Sequence, residues 1–241
     1  EEDKFIENTV RHDEGEKTLF GKTGKWTGTD LVDELLKQPA TAERLAAKLV
    51  KAFFGEKACP PDAAKELASG LRERDLDIAW AVGTVLRSRL FFTEENIRSR
   101  VTAPAEFVAG AVRSLGLFDP APSTLALADW SARMGHDLFD PPNVGGWPGG
   151  RSWVTSRALV ARANYAAALV EGPNAGRPDA YDPVAAAKAG GLGATHADVL
   201  VYHHRLLFGT DPTADTTTRL TPLEDRQLVT ALLSSPEALL G

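Results

Sequence analysis

Apolar residues in this chain return every three or four positions, in one segment after another, and that recurrence confines the fold to packed helices. In "TAERLAAKLVKAFFG" Leu45, Ala46, Leu49, Val50, Phe53 and Phe54 fall on one face. The spacing predicts a helix with Thr41 as N-cap and Gly55 as its stop. "APAEFVAGAVRSLG" repeats the pattern through Phe107, Val108, Ala111, Val112 and Leu115, opened by Pro104 and closed by Gly116. The same reading predicts helices near 28–37, 61–74, 77–88, 123–134, 155–170, 196–208 and 222–234, the last begun by a capping box of Thr221 and Glu224 around Pro222. Strand signal is confined to the beginning, where "TVRH" and "KTLF" flank "DEGE" as a small hairpin. The expected class is all-α, an irregular helix bundle with at most a small N-terminal β-hairpin and one long ordered Gly/Pro/Trp loop.

"EGPNAGRPDAYDPVAAAKAGGLGAT" is rich in Gly, Pro and Ala and reads as a linker with one short helix from Pro183. It divides a main helical body, 1–170, from a linker, 171–194, and a C-terminal helical pair, 195–241. The 241 residues, 43% of them hydrophobic, supply an ordinary core for one large domain or two small ones. Acidic residues outnumber basic ones by 33 to 27 and neither half is basic, which argues against a nucleic acid or an anionic membrane as partner. Apolar stretches fall far short of the roughly 20 residues a membrane span requires. A lone Cys59 excludes an intramolecular disulfide and a thiolate zinc site. "EEDKFIENTV" offers neither an initiating Met nor a signal peptide, so a mature product or a fragment is expected.

"GEKTLFGKT" imitates a phosphate loop, but Gly15 and Gly21 enclose five residues where the motif needs four, and the strand-to-helix context is missing. His196 and His203 stand seven apart, roughly 10 Å along a helix, too far to share a metal. His203 has Val199, Leu200, Leu206 and Leu207 one turn away and reads as a core histidine. No metal site and no cofactor is expected.

Two segments remain as candidates. In "RHDEGEKTLFG", His12 could act as a general base oriented by Asp13 or another carboxylate, with Lys17 holding an anionic group. Against this, Asp13 could simply cap the turn while His12 lies on the core. In "MGHDLFDPPNVGGWPGGRSW", Gly135 ends a helix and some eighteen residues then run without helical periodicity. Leu138 and Phe139 are expected to pin this connector to the core, Pro141 and Pro142 to stiffen it, and the glycine pairs to permit positive φ. Trp147 and Trp153, with Asn143 and Arg151 as donors, could form a platform for a sugar ring or a partner side chain, or both indoles could be a buried plug between helices.

His12, Asp13, Gly15, Lys17, Gly21 and Gly24 of the first segment, and Pro141, Pro142, Asn143, Val144, Gly146, Trp147, Gly149 and Trp153 of the second, resemble the C-terminal half of a large bacterial family, domain of unknown function 1800. The resemblance covers about residues 10 to 170, includes "SRVTAPAEFVAGAVRSLG", and the closing "LLSSPEALLG" is similar to the ends of planctomycete members. His136 departs from the pattern, which favours an uncharged polar residue there. The resemblance implies an exported, extracytoplasmic bacterial protein, with the family's N-terminal half or a sulfatase-like neighbour protein as partner; it implies no activity. Two functions are therefore expected to compete. One is a non-catalytic helical scaffold that binds a polysaccharide or a protein. The other is part of an extracytoplasmic hydrolase with a site at His12, completed by the family's other half or by a partner.

Overall fold

The computed structural model describes residues 8, 10–55 and 59–241, and its order is a two-stranded hairpin succeeded by eleven α-helices among those residues. The helical class and the hairpin agree with the sequence. The chain forms two compact units, one of residues up to Phe53 plus Cys59–Ser88 and one of Phe54–Ala58 plus Arg89–Gly241.

In the first unit β1 (Lys17–Leu19) pairs antiparallel with β2 (Lys22–Gly24). The hairpin therefore lies further along than expected and turns at Phe20-Gly21 rather than at "DEGE"; Val10–His12 form a turn, and Thr9 lies outside the described residues. Phe20 and Gly21 both have positive φ, 50° and 77°, which is the two-residue turn whose twist matches the strands. Helix α1 (Gly28–Lys37) opens with a capping box of Thr27 and Asp30. Trp26, just before it, donates from Nε1 to the Lys17 carbonyl at 2.9 Å, and Lys22 pairs with Glu34 of α1 at 2.7 Å, so the hairpin is tied to this helix at two points. Next, α2 (Pro39–Phe54) starts directly after the Gln38 cap, so Thr41 is not its N-cap; the Thr41 hydroxyl instead donates to the Leu35 carbonyl at 2.6 Å. The unit is completed by α3 (Pro61–Glu73) and α4 (Ile78–Arg87), which bury Leu67, Leu71, Ala81 and Val85.

The second unit contains α5 (Pro104–Ser114), α6 (Thr124–Arg133), α7 (Ser156–Glu171), α8 (Pro183–Ala189), α9 (His196–Phe208), α10 (Ala214–Leu220) and α11 (Asp225–Leu233). Its core is continuous from Phe107 to Leu233 and is centred on α7, against which α6 and α11 pack. Tyr165 of α7 is fully buried between Phe107 and Trp130, and its hydroxyl donates to the Val108 carbonyl at 2.8 Å. One turn earlier, Arg162 is also buried. It lies over Phe107 and donates from Nη2 to the Thr102 carbonyl at 2.7 Å, and burial pulls its pKa down to about 10. Residues 100–102 pair with the end of the chain: Val101 bridges Leu240, Thr102 donates to the Leu239 carbonyl, and the Gly241 N–H donates to the Arg100 carbonyl.

Segment 171–194, expected as a linker, is part of this core, and the division between compact units falls near residues 53–59 and 88–89 instead. Ala175, Tyr181 and Ala187 are buried, and the Tyr181 N–H donates back to Val170 of α7 at 2.7 Å. His203 is the core histidine its neighbours suggested: Nδ1 donates to the Val199 carbonyl at 2.8 Å and Nε2 accepts from the Tyr181 hydroxyl at 3.0 Å. The capping box expected at Thr221 does not form. Helix α10 occupies that region, the Thr221 hydroxyl bonds back to Thr217, and Glu224 takes the N-cap of α11, its N–H bonded to Gln227.

Candidate functional site

Helix α6 ends by a device its sequence dictates. Gly135 takes φ 97°, the Gly135 N–H bonds the Ala132 carbonyl, and the His136 N–H reaches back to the Ser131 carbonyl at 3.0 Å. The buried Ser131 hydroxyl then donates to the His136 carbonyl at 2.8 Å. His136 is thus fixed at the root of the connector by its own backbone.

Its ring is held from the connector's other end. Residues Gly150–Trp153 form a single helical turn before Thr155 caps α7, and this turn drives the Trp153 indole inward, where it is 7% exposed. The imidazole of His136 stacks on Trp153 with centroids 5.1 Å apart and planes 25° from parallel, and it meets Trp147 edge-on at 4.6 Å. Burial lowers the His136 pKa below its ordinary 6.5, while Glu106 of α5 opposes that shift. Partial burial pushes Glu106 up, but the bidentate Arg100 and the Ala103 N–H outweigh it and hold the carboxyl below its usual range.

Between these anchors the backbone is shaped by local bonds. Asn143 Oδ1 accepts the Gly145 N–H at 2.8 Å, its carbonyl accepts the Gly146 N–H, and the Ser152 hydroxyl donates to the Gly149 carbonyl at 2.7 Å. Gly146, Gly149 and Gly150 use positive φ, as expected. Leu138 and Phe139 do not pin the connector. Leu138 is 41% exposed and Phe139 is 99% exposed, because Phe139 adopts φ 68°, a left-handed conformation that turns its ring to solvent. Val144 at the tip is also fully exposed. The connector is therefore anchored by its rings at the ends and bare in its middle.

Of the four connector residues proposed from sequence, Trp153 is buried, Trp147 half-buried against His136, Asn143 engaged in its own turn, and Arg151 exposed. Sequence reasoning sets His136 aside, although its place directly after the C-capping glycine and before two indoles is a signal that a ring must fill the space between them.

The other candidates lie in the first unit. Asp13 Oδ1 accepts the Gly15 N–H at 2.9 Å, and Lys17 donates from Nζ to the Asp13 and Gly15 carbonyls while facing Asp13 Oδ2 at 3.4 Å. The Gly15 N–H, then the Lys17 charge, lowers the Asp13 pKa. These bonds close the turn that leads into β1, with the half-buried His12 at its start. Asp13 and Lys17 are brought together; the tryptophans belong to the other unit. "GEKTLFGKT" forms the hairpin and its approach. Among the described residues no group of three or more His, Cys, Asp or Glu is placed to hold a metal ion, and no helix is long and apolar enough to cross a membrane.

An all-helical core that carries one stacked, ring-anchored connector is the class these features define. The chain belongs to the family described as protein of unknown function (DUF1800), whose model matches residues 1–240, beyond both ends of the 10–170 segment that carries the resemblance. Comparisons with curated proteins and with solved structures gave no match.

Proposed function

We propose that this chain is a non-catalytic helical scaffold of an exported bacterial protein, and that it binds a protein partner through residues 137–149. The observation that carries the reading is Phe139, an aromatic side chain left 99% exposed on a backbone of φ 68°. A left-handed conformation costs a non-glycine residue about 1–2 kcal/mol, and a bare phenyl ring gains nothing in the free protein, so both features are understandable as preparation for a contact. Val144 extends the same apolar tip, and Asp137 and Asp140 flank it, which suits a partner with an apolar pocket and a basic rim. A polysaccharide platform is less well supported, since Trp153 is buried and Trp147 is occupied by His136. The hydrolase alternative would need Asp13 and Lys17 to leave the turn they close.

Phe139→Asn tests the reading, because asparagine accepts the left-handed backbone but presents no ring. Denaturant melts are expected to place the variant about 0.5–1 kcal/mol above the parent. Titration at neutral pH with the sulfatase-like neighbour protein, the partner the family suggests, is expected to show affinity reduced about tenfold or more. Undiminished affinity would discard the connector as the binding element.

A further inference from the structure

We propose that His136 is a proton-operated latch: taking up a proton separates the imidazole from Trp147 and Trp153 and frees residues 137–149 to rearrange. Such a latch would regulate the connector, and its purpose rests on the partner-binding reading above.

His136 Nδ1 is shut off from solvent and has no hydrogen-bond partner. A neutral imidazole tolerates this, because it can leave Nδ1 bare and carry its proton on Nε2. An imidazolium cannot, since both nitrogens then bear hydrogen, and Nδ1–H would be a charged donor buried without an acceptor. Two influences favour the cation. Stacking against indoles favours a cation over an aromatic face. Glu106 of α5 faces the ring, but it already holds Arg100 through both oxygens, so its charge is largely answered. The connector's other charges, Asp137, Asp140 and Arg151, are exposed, and Arg133 of α6 is exposed and paired with Asp129. A charged donor buried without an acceptor costs more than such stacking returns, so exclusion of the proton wins while the stack is closed. The lowered His136 pKa agrees in direction.

Above the ordinary imidazole value of 6.5 the ring is neutral whether the latch is closed or open, and pH has no effect. Below it the open state binds a proton that the closed state refuses, so opening becomes easier as pH falls. The move has somewhere to go. The His136 backbone stays clamped to Ser131, whereas the indoles are carried by a segment with three positive-φ glycines.

Hydrogen exchange of the whole chain, corrected for intrinsic rates, tests this at about pH 7.5 and about pH 5, which bracket histidine titration. Peptides covering 137–149 are expected to open more often at the lower pH, by at most about tenfold per unit of pH, the limit for one proton. Helices α7 and α9 are expected to hold their protection. His136→Phe keeps a flat ring without a titrating nitrogen and is expected to abolish the pH response. If that variant does not fold, the imidazole proton resonances of the parent decide, with a titration midpoint expected below that of an exposed histidine. Equal connector exchange at both pH values, a response retained in His136→Phe, a rise shared by α7 and α9, or an ordinary midpoint would each overturn the latch. Exchange is read without any partner, so a failed binding experiment leaves this result standing, and a failed latch leaves the neutral-pH binding result standing.

Discussion

Trp153→Ala is expected to destabilise the second unit by about 3–5 kcal/mol in chemical denaturation, the cost of truncating a buried aromatic side chain and leaving a cavity in its place. The indole is 7% exposed and stacks on His136, so its loss also removes the face on which the imidazole rests. Trp147→Ala should cost only about 1–2 kcal/mol, since that ring is only partly buried and meets His136 by an edge. The order of the two values is the diagnostic. Equal losses would mean that the connector behaves as one plug, and a larger loss at Trp147 would contradict the anchoring described for Trp153.

Gly172→Ala should be at least as damaging, with about 3 kcal/mol or more lost, because two penalties coincide. Gly172 caps α7 with φ 94°, and a Cβ there would lie 2.2 Å from the Asp179 carbonyl oxygen and 2.6 Å from its carbon. The obstacle is backbone, held in place by the bond from Tyr181 to Val170, and it cannot swing aside. Gly191→Ala is the matched control. It has φ 83° with nothing within 4 Å of a Cβ, so it should show the conformational penalty alone, about 1 kcal/mol. Similar values for the two substitutions would show that the turn after α7 is looser than its contacts suggest.

The parts of this fold legible in the sequence are those governed by local rules. The helices opened by Thr27 with Asp30, by Thr155, and by Thr195 with Asp198 stand where the periodicity places them, whereas the caps expected at Thr41 and Thr221 do not form. What local rules miss is decided at a distance. The segment "GPNAGRPDAYDP" has the composition of a linker, and only the burial of Ala175 and Tyr181 beside α7 makes it core. "ADTTTRL" has few good helix formers, yet Thr217 and Thr218 return their hydroxyls to carbonyls four residues back and α10 forms.

The connector shows the same division. Its positive-φ glycines are legible, but Asn143 is expected as a donor and instead accepts the Gly145 N–H in its own turn, and Phe139 is expected inside because it is apolar, its positive φ being a property no pattern of hydrophobicity reports. His136 escapes sequence reasoning for a similar reason. Its significance lies in two indoles eleven and seventeen positions later, which are adjacent to it only after folding.

The pairing of Val101 with Leu240, and of Thr102 with Leu239, has a consequence for how the protein is made. The acceptor for Thr102 lies 137 positions downstream, so a nascent chain leaving the ribosome carries this edge open until Leu239 has been made. Closing so long a loop is entropically slow, and this edge of the second unit cannot be locked before Leu239 and Leu240 are available. A ribosome stalled shortly before Leu239 would therefore hold helices already formed around α7 with no lock on the strand-like edge that precedes α5.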